Sequence, residues 1–397
     1  VGEDFTITIT VNPEPQIDDV AQTICNDETF TTVDPQDGTN GIVPVGTTYS
    51  WGVPVSNPAG AITGGVAGTD ESSIVGTQLT NGTSSPADLV YTVTPSTAEG
   101  CVGEDFTITI TVNPEPQIDP ISEVICSDIG SFDITPVDGT NGIVPVGTTY
   151  TWTVDDASNV ITGEDAGTGS SISDSDLFNT TSSPADLVYT VTPSTAEGCV
   201  GEDFTITITV NPEPQIDPIS EVICSDIGSF DITPVDGTNG IVPVGTTYTW
   251  TVDDASNVIT GEDAGTGSSI SDSDLFNTTS SPADLVYTVT PSTAEGCVGE
   301  DFTITITVNP EPQIDDVAQT ICNDETFTTV DPQDGTNGIV PVGTTYSWGV
   351  PVSNPAGAIT GGVAGTDESS IVGTQLTNGT SSPADLVYTV TPSTAEG

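Results

Sequence analysis

Phe204-Thr205-Ile206-Thr207-Ile208-Thr209-Val210-Asn211 alternates apolar and polar side chains without a break. A period of two puts Phe204, Ile206, Ile208 and Val210 on one face of an extended strand and the threonines on the other. One face suits a core and the other suits water, as in a sheet packed on a single side. The chain continues Asn211-Pro212-Glu213-Pro214-Gln215. Two prolines in so short a stretch end the strand and make a stiff connector. The same Asn-Pro-Glu-Pro-Gln occurs at 12–16, 113–117 and 309–313, so the chain is punctuated at a regular interval.

The interval belongs to a repeat. Val-Gly-Glu-Asp-Phe opens at Val1, Val102, Val200 and Val298; residues 1–100 recur as 298–397, and 102–199 recur as 200–297. A unit of about a hundred residues is a whole domain, well beyond the roughly 20–50 residues of a solenoid turn. The connectors set the folded unit out of register with the repeated letters. Complete domains are expected at 16–113, 117–211 and 215–309, with 1–13 as the last strand of a unit and 313–397 as a unit lacking its last strand. On this reading the sequence is a window on a longer array.

Within 117–211 the extended candidates are Gln117–Cys126 (broken by Pro120), Ser131–Pro136, Thr148–Val154, Asn159–Thr162, Ser170–Leu177, Asp186–Thr192 and Asp203–Val210. The third places Tyr150, Trp152 and Val154 on one face, and the sixth does the same for Leu187, Tyr189 and Val191. Gly, Asn, Asp and Pro fill the gaps, and no segment has a helical period. Short strands with a tryptophan on the third predict an all-β chain of tandem immunoglobulin-like sandwiches, arranged end to end as a rod. Trp51, Trp152, Trp250 and Trp348 are the expected core anchors. Acidic residues flanking each Thr-Ile-Thr-Ile-Thr-Val run guard it against edge-to-edge association.

Composition narrows the function. There is no Lys, Arg, His or Met against 58 Asp plus Glu, a formal charge of −58. Nothing can neutralise a phosphate, which excludes nucleic acid as a partner and argues against docking on an anionic membrane. No apolar stretch approaches the roughly 18 residues of a membrane span, so no membrane insertion is expected. Without His or Lys the usual general bases and amine nucleophiles are missing, and the chain reads as not an enzyme. Asp155-Asp156 and the pair Asp174 and Asp176 read as solvated turn residues rather than a glycosidase pair.

The seven cysteines are Cys25, Cys101, Cys126, Cys199, Cys224, Cys297 and Cys322. Two per unit imply an oxidising, extracytoplasmic setting. In an up-and-down sandwich the turn after the first strand and the turn before the last lie at opposite ends, roughly 25 Å apart. Disulfide Cα atoms must come within about 7 Å. The last turn of one domain does face the first turn of the domain before it, which predicts the inter-domain bridges Cys25–Cys199 and Cys126–Cys297. In-domain pairs Cys25–Cys101, Cys126–Cys199 and Cys224–Cys297 stay open as the alternative, and so do free thiols. Metal ligation by these thiols is disfavoured by the absence of His and of a Cys-x-x-Cys spacing.

Acidic loops point to calcium if to any ion. Glu115, Asp119, Asp155 and Asp156, with Glu164 and Asp165, offer hard oxygen ligands, but no Asp-x-Asp-x-Asp-Gly loop occurs, and diffuse counter-ions are the alternative. No other cofactor is expected. Asn81, Asn179, Asn277 and Asn378 begin Asn-x-Ser/Thr sequons. The threonine rows could be read as an ice- or glycan-binding face, although ordinary strand alternation accounts for them.

Three motifs carry a resemblance: Ile-Cys ending the first strand, Gly-Thr-Thr-Tyr-x-Trp in the third, and Val-Tyr-Thr-Val-Thr-Pro followed by Gly-Cys-x-Gly-x-Asp-Phe-Thr-Ile-Thr-Ile-Thr-Val-Asn-Pro. Together they resemble the PKD-like/Ig-like repeats of giant Bacteroidetes cell-surface adhesins, those of flavobacterial gliding motility foremost. The resemblance covers essentially the whole chain. It implies an extracellular, cell-surface protein exported by type IX secretion, the stalk of a long acidic adhesin filament serving gliding or attachment. Its implied partners are neighbouring repeats and the cell-envelope motility or secretion machinery. The alternative is a repeat that itself binds glycan or a calcium-bridged surface polymer.

Overall fold

The computed structural model describes residues 1–127, 129–225 and 227–395, and these contain no helix. Two compact units emerge. The first holds the repeat 16–113 and most of 117–210; the second is built mainly from Asn211 onward and takes in Cys126, Ser127 and Asn179–Pro184. Residues 396–397 of the span 313–397 lie outside the described residues.

The repeat 117–211 serves as the reference. Its strands are β1 (Gln117–Ile118), β2 (Ile121–Cys126), β3 (Phe132–Ile134), β4 (Gly142–Ile143), β5 (Thr149–Asp155), β6 (Ile161–Thr162), β7 (Gly167–Gly169), β8 (Ile172–Asp174), β9 (Phe178–Asn179), β10 (Ala185–Ser194) and β11 (Phe204–Asn211). The main sheet runs β2-β11-β10-β5-β7, while β3–β8, β6–β9 and β1–β4 pair separately. All-β sandwich repeats in tandem are thus the architecture.

The periodicities place the core. On β11, Ile206, Ile208 and Val210 are wholly buried and Phe204 nearly so, while Leu187, Tyr189 and Val191 of β10 are wholly buried opposite them. Phe132 of β3 meets Tyr189 edge-on, with ring centroids 5.1 Å apart, and so ties the small sheet to the large one. Trp152, Trp250 and Trp348 are buried, whereas Trp51 is half-buried. The indole N–H of each donates to a backbone carbonyl: Val66 for Trp51 (2.8 Å), Asp165 for Trp152 (3.2 Å), Asp263 for Trp250 (3.2 Å) and Val363 for Trp348 (2.8 Å).

Three strands escape a reading by alternation: β4 and β7, which are built on glycine, and β9, whose two residues are too few to alternate. At Gly167 a Cβ would lie 2.3 Å from the Trp152 ring, so the bare backbone is what lets the indole lie flat on β7. The expected strand at 1–13 does not form. Phe5, Ile7 and Ile9 are largely exposed there, although the same letters make a strand at Phe106–Asn113. Alternation supplies a face, but neighbours supply the ladder, and among the described residues no strand pairs with 1–13.

Candidate functional site at the joints between repeats

In the first unit, Val20–Cys25 runs parallel to Phe106–Asn113, with Cys25 opposite Asn113. The last strand of the repeat therefore leaves for its connector beside Cys25. Asn26 N donates to Asn113 O (2.9 Å), and Cys25 N to the Glu28 carboxylate (2.9 Å), which fixes this end.

The next repeat presents its β10–β11 turn. Thr195 N donates to Cys199 O (2.9 Å), Gly198 N to Thr195 O (3.1 Å) and Gly201 N to Pro193 O (3.0 Å). A Cβ on Gly201 would fall 2.1 Å from Pro116 O, so glycine is what lets this turn close against the connector. The turn carries Cys199, almost fully buried, to Cys25: the two are disulfide-bonded with Cα atoms 5.5 Å apart. In the second unit Cys126 and Cys297 are bonded likewise, with Cα atoms 5.4 Å apart. There Ser127 N and Oγ both donate to Asn211 O (3.0 and 3.1 Å), and Thr293 N donates to Cys297 O (2.9 Å).

The in-domain pairs Cys25–Cys101, Cys126–Cys199 and Cys224–Cys297 are not joined. Cys101 is a half-buried thiol and Cys322 an exposed one. Cys224 is half-buried at the end of Ile219–Cys224, opposite Asn309.

A second contact recurs at the joints. Ser84 Oγ donates to Asp138 Oδ2, Ser182 to Asp236 and Ser280 to Asp334, each at 2.7 Å and each from one repeat to the next. The accepting carboxylate also closes a turn of its own repeat: Val144 N, Val242 N and Val340 N donate to its other oxygen at 2.9, 2.9 and 3.0 Å. The backbone donor and then the serine hold Asp138 and Asp236 below the usual carboxylate range. For Asp334 the serine is the larger cause. Nothing in a local reading singles out these serines and aspartates. The only signal is a constant spacing of 54 residues, which becomes visible once the contacts are known.

The sequon asparagines present those serines. Asn277 Oδ1 accepts from Thr279 N (2.9 Å) and Oγ1 (2.8 Å), while its Nδ2 donates to Ser281 O (2.8 Å) and Val308 O (2.9 Å). Asn81 makes the same set with Thr83, Ser85 and Val112. Asn81, Asn179 and Asn277 are buried. They brace a turn and leave no room for a glycan; Asn378 is half-buried.

The acidic candidates are dispersed. Asp119 and Asp155 are exposed. Asp156 uses its oxygens on Ser158 N (3.1 Å), Ser158 Oγ (2.6 Å) and Ile161 N (2.9 Å). Burial pushes its pKa up, but these hydrogen bonds outweigh that and hold it low. Glu115, half-buried in the connector, is pushed up by burial and then by Asp27, with Glu28 and Glu202 adding and Asn26 opposing. Among the described residues no group of three or more His, Cys, Asp or Glu side chains is placed to hold a metal ion. Asp174 corrects the solvated-turn reading: half-buried, it accepts from the Tyr189 hydroxyl (2.8 Å) and Asp165 N (2.8 Å). Asp176 is exposed, as a turn residue would be.

The family model of the PKD-like domain matches residues 22–116, 123–214, 221–312 and 319–397. No curated protein matches the chain. Among solved structures it is similar to chicken CNTN1 FN1–FN3 domains (10% identity, 68% of this chain and 92% of that one, TM-score 0.27). A titin I-band fragment, I67–I69, is similar at 11% identity (75% and 97%, TM-score 0.30). Human CDH23 EC21–23 is similar at 12% (75% and 100%, TM-score 0.30). At such scores the likeness fixes neither a function nor the arrangement of the repeats.

Proposed function

The chain belongs to the PKD-like domain family, and on that premise we propose that its repeats are the stalk of an extracellular, cell-surface adhesin filament. Tandem domains of this kind serve as structural or adhesive modules, and the cation-free composition leaves little from which to build an active site. The observation that carries the reading is the joint. A disulfide and a Ser–Asp hydrogen bond meet where consecutive repeats adjoin, which is where a stalk bends or yields. The domain spans 16–113, 117–211, 215–309 and 313–397 are proposed as its mechanical units, with Trp51, Trp152, Trp250 and Trp348 anchoring their cores. Counter-ion neutralisation of the acidic surface, calcium included, would modulate stiffness without a dedicated site. Export by type IX secretion and a role in gliding motility, with the envelope motor as partner, are the finer form of the proposal and rest on the resemblance of the repeat motifs.

Non-reducing peptide mapping together with imaging of the purified chain tests this. Linked Cys25–Cys199 and Cys126–Cys297 peptides and an extended particle that shortens or kinks on reduction are expected. A Cys126–Cys199 peptide would sink the joint reading. Specific binding of an isolated repeat on a glycan array would favour the binding-module alternative instead.

A further inference from the structure

The two disulfides overlap along the chain. Cys126 lies inside the loop closed by Cys25 and Cys199, and Cys199 lies inside the loop closed by Cys126 and Cys297. Treat each bonded pair as one node. Three separate stretches then join the same two nodes: residues 25 to 126, 126 to 199, and 199 to 297. They are about 101, 73 and 98 residues long, at up to about 3.6 Å each.

We propose that this pair of bridges is an extension limiter, a three-stranded covalent cable in which the middle stretch, 126–199, takes the load while the other two stay slack. The inference rests on the joint reading above. Pulled from its ends, the chain first follows residues 1 to 25. It crosses to Cys199, runs backwards to Cys126, crosses to Cys297, and continues to 397. That route is about 197 residue steps, on the order of 700 Å, against about 396 steps and roughly 1,400 Å for the unbridged chain. Loss of the bridges is not additive. Without Cys25–Cys199 the shortest route passes through Cys126–Cys297 and takes about 225 steps; without Cys126–Cys297 it takes about 222. Losing either bridge lengthens the limit by only about 25–28 residues, whereas losing both releases about 199. The limit depends on connectivity alone, so it holds whether the sandwiches are folded or not.

Single-molecule pulling of the full chain tests the device. Cys101, Cys224 and Cys322 are replaced by Ser in every sample, so that only the four bridging cysteines can pair. The reference chain is compared with Cys25→Ser/Cys199→Ser, Cys126→Ser/Cys297→Ser and the quadruple variant. Because the final contour length is read after complete unfolding, a variant that folds poorly still reports. Final lengths of about 197, 225, 222 and 396 steps are expected. A reference length near 323 steps would mean in-domain Cys126–Cys199 pairing, and one near 396 no pairing; either overturns the joint reading itself. Peptide mapping that shows both bridges, with a pair variant that nevertheless extends by more than a hundred or so residues, would overturn the limiter alone.

Discussion

The first repeat and the last have the same residues from Gln16 to Ala98 and from Gln313 to Ala395, yet they fold to different extents. In the first, Phe106–Asn113 lies between Val20–Cys25 and Ala87–Ser96. Phe30, Leu79, Tyr91 and Val93 are then almost fully buried. Among the described residues of the last repeat there is no such strand, Val317–Cys322 forms no strand, and Phe327, Leu376, Tyr388 and Val390 are only half-buried. The long strand Ala87–Ser96 becomes two pieces, Asp385–Val387 and Val390–Ser393. What survives is the far corner, where Tyr346, Trp348 and Ile371 stay buried. The lesson is that the final strand organises the sandwich. It holds the first strand in place and closes the core, although it is the last part of the repeat to emerge in sequence.

The strongest test joins residues 101–113, with Cys101→Ser, after Gly397. Burying Phe, Ile, Ile and Val equivalents at about 1.5–3 kcal/mol each, less the cost of ordering them, should stabilise the last repeat by on the order of 5 kcal/mol. Hydrogen exchange at Val317–Cys322 should slow markedly; unchanged exchange there would break the comparison. The converse is Ile110→Asp in the first repeat. Ile110 is wholly buried, so an unpaired charge there should cost about 4 kcal/mol or more. Protection at Val20–Cys25 should fall while that at Ile206 and Ile208 persists, and loss in both repeats alike would show that the repeats do not fold as separate sandwiches.

Alkali offers a graded version. Burial raises Tyr49 to about 12, with Asp34 adding, and raises Tyr91 also, while Tyr346 is raised in the last repeat. An unfolded tyrosine loses its proton near about pH 10. Folded tyrosines with raised values keep theirs, so their contribution is full below about pH 10 and disappears as pH climbs through the folded values. Melting temperature should therefore be flat across neutral pH and fall above about 10, with the first repeat losing more than the last. A flat profile to pH 12 would contradict the burial. The smallest effect expected is that of Ser84→Ala, which removes an exposed, solvent-screened hydrogen bond to Asp138. It should loosen the joint, seen as a broader interdomain-distance distribution between spin labels, without shifting the melting of either repeat.

Much of this was legible in the letters, for a physical reason. Alternation in Phe204–Val210 and Asp186–Thr192 reports burial directly, because side chains on a strand must choose between core and water. The prolines after Asn113 and Asn211 report where strands must stop. Strand polarity argues for Cys25–Cys199 and Cys126–Cys297 because it fixes which turns share an end, but by itself it leaves in-domain pairs and free thiols open. The rest lies in pairings that local sequence does not encode. Glycine strands such as Gly167–Gly169 have no side chains to alternate. The hydroxyl of Ser84 finds its partner in the following repeat. Asn81 and Asn277 brace turns that their sequon letters do not announce.

The overlap of Cys25–Cys199 with Cys126–Cys297 bears finally on survival outside a cell. With no Lys or Arg the chain offers trypsin nothing, but other proteases will find exposed loops. A single nick anywhere between the two nodes severs one stretch and leaves two intact. The halves stay covalently attached and migrate together until a thiol is added. Damage there has to strike three separate places before anything carried beyond the joint is lost.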